Sequence, residues 1–172
     1  MDVLVREERA GDEAAVREVL LAAFPTPAEA GLVEALRAAA EHFESLVAVA
    51  DGDGGRIVGH ILFTEMELVP EHDGLVLGLA PLAVAPEWQD RGVGAALVEA
   101  GLERCRDLGA RLVIVLGEPG YYPRFGFEPA SRLGLRSTYD VPDEAFMALP
   151  LDPDAEWDPH LAKYRPEFDG LE

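Results

Sequence analysis

The chain of 172 residues holds one cysteine, Cys105, and one lysine, Lys163. A lone thiol closes no internal disulfide, so no intrachain disulfide framework supports this fold. The lone lysine is followed by tyrosine, so the Gly-Lys-Ser/Thr of a P-loop is missing. No apolar run approaches the roughly 18 residues of a transmembrane helix. The first residues, Met1-Asp2-Val3-Leu4-Val5-Arg6-Glu7-Glu8, turn acidic at once and lack a basic-then-apolar leader. Internal repeats, low-complexity tracts and linkers are also missing. With 49% apolar residues there is enough to bury one core. These features lead us to expect one soluble cytoplasmic domain over 1–172, with a C-terminal strand extension over about 140–172.

Positive charge is scarce. Fourteen basic residues face 33 acidic ones, for a net charge of −19. Such a field repels nucleic acid and anionic membranes and favours cationic partners, or it serves as a solubilising coat. It is uneven. Residues 91–136 carry seven arginines and five acids, a local net of +2 that leaves −21 elsewhere. That stretch is where an anionic ligand is expected.

Apolar spacing predicts a strand over Val3–Glu7 and helices over Gly11–Phe24, capped by Asp12, and Ala28–His42. A hairpin follows, from Leu46–Ala50 to a long strand over Arg56–Val69. Leu75–Val84 reads as a buried strand, Gly92–Leu108 as a helix, Arg111–Leu116 as a strand and Pro119–Phe127 as a short irregular or helical segment. Later strands are expected over Leu133–Ser137, Phe146–Leu151 and His160–Arg165. The order implies an α/β (α+β) three-layer domain around a mixed sheet.

The informative stretch runs from Leu79 to Leu97: a buried strand, a short loop, Gly92-Val93-Gly94, then a strong helix. Glycines there let backbone N–H groups approach a ligand. The first helical turn offers unpaired donors and the positive end of the dipole. Together they suit a phosphate, although Gly-x-Gly also serves as a plain tight turn. The dinucleotide fingerprint fails, because its third glycine would stand at Leu97.

Gln89-Asp90-Arg91-Gly92-Val93-Gly94 resembles the Q/R-x-x-G-x-G/A motif of the GNAT acetyltransferases. Tyr122-Pro123-Arg124-Phe125-Gly126-Phe127 resembles that family's Tyr-x-x-x-Gly-Phe signature. Gly59–Phe63, Leu79–Val84, Leu116–Tyr122 and Ala145–Ala148 are similar to the YhbS-like branch, and the resemblance runs from about residue 4 to 168. It implies the GNAT, or acyl-CoA N-acyltransferase, fold, with the sheet splayed between Leu79–Val84 and Arg111–Leu116. Acetyl-CoA would be co-substrate, with no metal. Its pantetheine would bond the backbone of Leu82, Ala83 and Val84. Its pyrophosphate would sit on the N–H groups of Gln89, Asp90, Arg91, Gly92, Val93, Gly94 and Ala95. Tyr121, Arg124 and Phe125 complete the expected contacts, with Arg91 and Arg124 as phosphate partners.

The chemistry needs a neutral amine to attack the thioester, a donor for the oxyanion near Val84, and an acid for the leaving thiolate. The resemblance assigns Tyr122 as that acid, with Tyr121 as its neighbour and competitor. Glu65, Glu67, His60 and His72 are candidates for taking the amine's proton. Glu65 and Glu67 share one face of the expected strand, Glu67 is ranked first, and a water chain could replace any of the four. Cys105, mid-helix among core positions, reads as an inert thiol. The expected activity is N-acetyl transfer to a primary amine, small-molecule or protein, with cationic acceptors favoured. A non-catalytic acyl-CoA-binding sensor is the alternative. The resemblance also admits a homodimer.

Overall fold

The computed structural model describes residues 3–171. Strand β1 (Val3–Glu7) leads into helices α1 (Glu13–Ala23) and α2 (Ala28–Ala39). Each helix has one apolar stripe, and that stripe is what it buries: Val16, Val19 and Leu20 in α1, and Ala30, Leu32, Val33 and Leu36 in α2. Asp12 stands at the cap position of α1 without capping it. Its carboxylate instead accepts from the Arg6 guanidinium at 2.8 Å and the Arg9 N–H at 2.7 Å. Helix α2 stops short of His42 because the Glu41 and His42 N–H groups donate, each at 3.0 Å, to the Glu65 carboxylate.

The chain continues through β2 (Phe43–Ala50), β3 (Arg56–Glu65), β4 (Glu67–Val69), β5 (Val76–Val84), helix α3 (Val93–Asp107) and β6 (Leu112–Leu116). Four short strands follow: β7 (Glu128–Pro129), β8 (Leu135–Ser137), β9 (Phe146–Pro150) and β10 (His160–Lys163). The main sheet runs β1-β2-β3-β5-β6-β9-β7, and a second sheet runs β4-β10-β8. The long strand expected over 56–69 is therefore two strands in two sheets. The break falls at Met66, whose N–H turns to the Val76 carbonyl at 2.9 Å. Its thioether fills the space over Gly78, where a Cβ would lie 2.8 Å from Met66 Sδ.

Helix α3 covers one face of the main sheet and α1 and α2 cover the other. Close approach of α3 depends on Gly101, where a Cβ would come within 2.4 Å of Phe63 Cε1. The helix buries Leu97, Val98 and Leu102 there, each contributing about 1.5–3 kcal/mol. The C-terminal segment is woven into this framework. β10 pairs with both β4 and β8, and Phe168 packs into the α1/α2 layer. Arg165 holds the segment down through Glu65 at 2.7 Å and Glu167 at 2.9 Å. No helix among the described residues is long and apolar enough to cross a membrane.

The feature that positions the site is a fork. β5 and β6 pair in parallel only from Val76 and Leu112 to Leu79 and Val115. Beyond that point β5 continues to Val84 against β3 alone. The register between β3 and β5 shifts between Ile61 and Phe63. Past the shift, Ala80 packs with the α1/α2 layer while Leu82 and Val84 pack with the α3 layer.

Candidate active site

The loop entering α3 is shaped by two left-handed residues, Asp90 at φ 62° and Gly92 at φ 81°. Asp is among the few non-glycine types that tolerate this region, and glycine adopts it without strain. The first bond of the helix runs from the Ala96 N–H to the Gly92 carbonyl at 3.0 Å. The N–H groups of Val93, Gly94 and Ala95 thus lack intrahelical acceptors and sit at the positive end of the dipole. The Gln89 N–H, expected in the same row, is already bonded to the Pro86 carbonyl at 3.3 Å. Its side chain has a different job: Gln89 Nε2 donates to the Val84 carbonyl at 3.1 Å, tying the loop to β5.

Strand alternation defines the other wall. The Ala85 N–H donates to the Val58 carbonyl at 2.8 Å, so Ala85 and Ala83 turn their backbone groups toward β3. Leu82 and Val84 then turn theirs toward the fork. The expectation for Ala83 is corrected on this ground. Its backbone belongs to the β3 ladder, and its side chain is buried in the α1/α2 layer.

Between these walls lies a cavity of about 620 Å³. Leu82, Val84, Gln89, Asp90, Gly92, Val93, Gly94, Ala95, Tyr121 and Arg124 all line it, as the motifs led us to expect. Ala23 and Phe24 from the end of α1, and Trp88, line it as well. Sequence reasoning missed these three. Trp88, a large aromatic beside the glycine motif, was the available signal. Tyr121 Oη lies 3.0 Å from where a Cβ on Gly94 would stand, so glycine there leaves room for the phenol at the cavity edge.

Some expected residues fall outside this cavity. Arg91 stacks over the Trp88 ring at 5.2 Å. Phe125 lines an adjoining cavity of about 600 Å³, which shares Ala95 and Arg124 with the first and adds Arg106, Glu99 and Glu103. The arginine-rich stretch is partly consumed by structure, since Arg104 pairs with Glu44 at 3.1 Å and Arg111 with Asp152 at 3.6 Å. Arg124 remains at the junction, its guanidinium 4.5 Å above the Tyr121 ring and its Nε donating to the Tyr121 carbonyl at 2.8 Å.

Tyr122 is buried behind Tyr121, edge to face at 5.1 Å. Its ring lies over Gly117, immediately after β6, where a Cβ would stand 2.5 Å from Tyr122 Cε2. The phenol is thus held at the end of one tine of the fork. Burial, and then the neighbouring Tyr121, push its pKa up to about 12. Cys105 is likewise pushed up to about 12 by burial, which leaves it an inert thiol.

The proton-accepting candidates scatter. Glu67 lies on β4 in the second sheet, exposed and 3.7 Å from Lys163. The expectation that it serves as base is withdrawn, because the strand break at Met66 carries it out of the main sheet. Glu65 is occupied by Arg165 and two backbone N–H groups. Burial opposes its ionisation, but these partners outweigh burial and hold its pKa below the ordinary value. His72 stacks on Trp157 at 4.2 Å and bonds the Asp73 and Glu156 carbonyls. His60 is fully buried, bonded through Nε2 to Ser45 Oγ at 2.8 Å, and Ser45 bonds Glu8. Burial first, then Arg37, depress its pKa to about 3.

The acetyltransferase (GNAT) family model matches residues 14–127. The chain belongs to the GNAT family. It is 42% identical over 135 residues to the uncharacterized N-acetyltransferase YjhQ of Escherichia coli K12, covering 77% of this chain and 74% of that one. It is 35% identical over 153 residues to the uncharacterized N-acetyltransferase YhbS of the same strain, covering 89% and 90%. The crystal structure of Escherichia coli YhbS in complex with CoA matches with a TM-score of 0.88 at 32% identity, over 97% of this chain and 92% of that one. A GNAT acetyltransferase from Brucella melitensis in complex with acetyl-CoA matches at 0.78 and 34% identity, over 98% and 99%. Membership in the GNAT family makes this chain an N-acetyltransferase enzyme with the GNAT fold.

Proposed function

We propose that the chain moves an acetyl group from acetyl-CoA to a primary amine by direct attack within a ternary complex. The observation that carries this reading is the fork, opening after Leu79 and Val115 beside the free N–H row of Val93, Gly94 and Ala95. Pantetheine hydrogen-bonds to the backbone of Leu82 and Val84. The pyrophosphate rests on the N–H row, with Arg124 as charge partner. Arg106 and Phe125 in the adjoining cavity extend the site toward the nucleotide end. The relatives solved with CoA and acetyl-CoA support the same ligand here.

In the reaction the amine lone pair forms the C–N bond, and the carbonyl electrons move onto oxygen. The Val84 N–H stabilises that oxyanion. Collapse breaks the C–S bond, the thiolate takes the proton of Tyr122, and the phenolate regains a proton through water from the nitrogen of the new amide, which leaves that nitrogen neutral. A phenol near 12 is a poor donor to an aqueous thiolate near about 8.5. Inside the fork the thiolate is desolvated as well, which raises its own proton affinity toward that of the phenol. The amine arrives neutral, its proton lost to water. The acceptor is a small-molecule or protein amine, and the net charge of −19 favours a cationic one in solution. We place the reaction in the cytoplasm.

The test couples calorimetry with CoA to thiol-release assays over an amine panel. CoA should bind and at least one amine should be acetylated. CoA binding with no amine turned over would overturn the reading.

A further inference from the structure

A second cavity, of about 260 Å³, opens on the other side of the fork. Its walls are Ala80, Leu116, Tyr139, Val141, Tyr164 and Phe168. Ala80 is the first β5 residue beyond the pairing with β6, and Leu116 is the last residue of β6. The cavity therefore meets the crotch of the fork from the α1/α2 side, while the acetyl-CoA cavity meets it from the α3 side. Three aromatic rings form a box: Tyr139 and Tyr164 stack at 5.7 Å, and Tyr164 and Phe168 tilt together at 5.0 Å. Asp140 supplies a carboxylate at its edge.

The two phenols differ. Tyr139 Oη donates to Asp169 Oδ1 at 3.1 Å. Tyr164 Oη is buried and has no hydrogen-bond partner among the described residues. A buried hydroxyl left unsatisfied is costly, so it marks where a ligand's polar atom belongs. Burial first, then the neighbouring Tyr139 and last Tyr122, push the pKa of the Tyr164 phenol up.

We propose that this cavity holds the acceptor, and that the acceptor is an arylalkyl primary amine, its ring in the box of Tyr139, Tyr164 and Phe168 and its nitrogen against Tyr164 Oη. This deepens the acetyl-transfer reading and rests on it. A space of about 260 Å³ lies just under the range of about 300–1,000 Å³ typical of drug-sized ligands. It fits one ring and a short chain rather than an aminoglycoside or a peptide loop. Ring stacking and cation–π attraction both favour an ammonium carried on an aromatic body. Asp140 draws that cation to the mouth, and the nitrogen passes inward as it loses its proton.

The experiment compares phenethylamine with spermidine in thiol-release assays, with CoA affinity measured by calorimetry. Phenethylamine should show at least a tenfold higher kcat/KM. Val141→Arg should raise its KM at least tenfold with CoA affinity unchanged, which also shows that the variant is folded. Tyr164→Phe should raise KM several-fold with the same CoA affinity. Preference for spermidine, or a KM indifferent to Val141→Arg, overturns the proposal and leaves acetyl transfer standing. Should neither amine turn over, saturation-transfer NMR of phenethylamine on the CoA-loaded protein decides. A signal that Val141→Arg abolishes supports the cavity assignment, and no signal overturns it.

Discussion

The two sides of the fork are made of different material. The α3 side presents backbone: the N–H row of Val93, Gly94 and Ala95, the inward-turned groups of Leu82 and Val84, and glycines that keep Cβ atoms away. The other side presents side chains, the rings of Tyr139, Tyr164 and Phe168, brought in from the end of the chain. A backbone site tolerates drift in most side chains, because the ligand meets atoms every residue has. A side-chain site changes its ligand with each substitution. The division suits an enzyme with a constant donor and a private acceptor.

Tyr122 is buried behind Tyr121 at the end of β6, and its loss should have the largest effect. Tyr122→Phe should lower kcat by about 10²-fold or more, about 2.7 kcal/mol in the barrier, with CoA affinity unchanged. Because its pKa is pushed up to about 12, the phenol stays protonated through pH 10, so the wild-type rate should show no alkaline fall from this group below that point. A kcat–pH profile and calorimetry together check both statements.

Acid should loosen the acceptor side first. The buried His60 lies in the α1/α2 face of the sheet, and its pKa is depressed to about 3 from an ordinary value near 6.5. Between these values the unfolded chain binds the proton and the folded chain does not. Stability is therefore fully present above about pH 6.5 and is lost as pH falls toward 3, by about 2 kcal/mol between pH 7 and pH 5. The lowered carboxylates Asp12, Glu65 and Glu167 add their losses only below their own unfolded values, 3.8 for Asp12 and 4.5 for the two glutamates. Thermal melts from pH 7 to pH 5 on wild type and His60→Leu isolate the histidine window, and the variant should be nearly flat over this range.

The same contrast explains what could be read from the chain. The turn at Gln89–Gly94 was legible because its demands are local: positive φ at Gly92, an unpaired helix start and a strand just before it. The fork was expected only from the family resemblance, because two apolar strands flanking the motif do not say that they part beyond Leu79 and Val115. Glu67 was misplaced because the break at Met66 is decided by Gly78, a non-local contact that strand parity cannot register. Ala83 was misassigned because which way a backbone group turns depends on the β3 register, and the Gln89 N–H because the turn begun at Pro86 closes on it. The box of Tyr139, Tyr164 and Phe168 was invisible in its parts, since nothing nearby in the chain says that these rings meet Ala80 and Leu116.

Gly92→Ala probes the donor side alone. An L residue at φ 81° is strained by about 1–2 kcal/mol, with no neighbour within 4 Å of its Cβ to add a clash. If the loop relaxes to relieve that strain, the N–H row turns and CoA affinity should weaken about five- to tenfold. The phenethylamine KM, measured at saturating acetyl-CoA, should stay within twofold. Equal damage to both constants would mean that the two sides are mechanically one.

Arg124→Ala should give the smallest change and the finest test of how much of donor binding is backbone. Its guanidinium is exposed and already engaged with the Tyr121 ring and carbonyl. An exposed cation is screened by solvent and contributes about 0.2–1 kcal/mol to an ion pair, so CoA affinity should weaken only about two- to fivefold. That loss should shrink as salt is raised from low to physiological strength, because the screening length falls to about 8 Å. The residual affinity at high salt then belongs to the N–H row and β5. A loss much beyond tenfold, or one indifferent to salt, would move the donor site's energy from backbone to side chain and erase the distinction between the two sides.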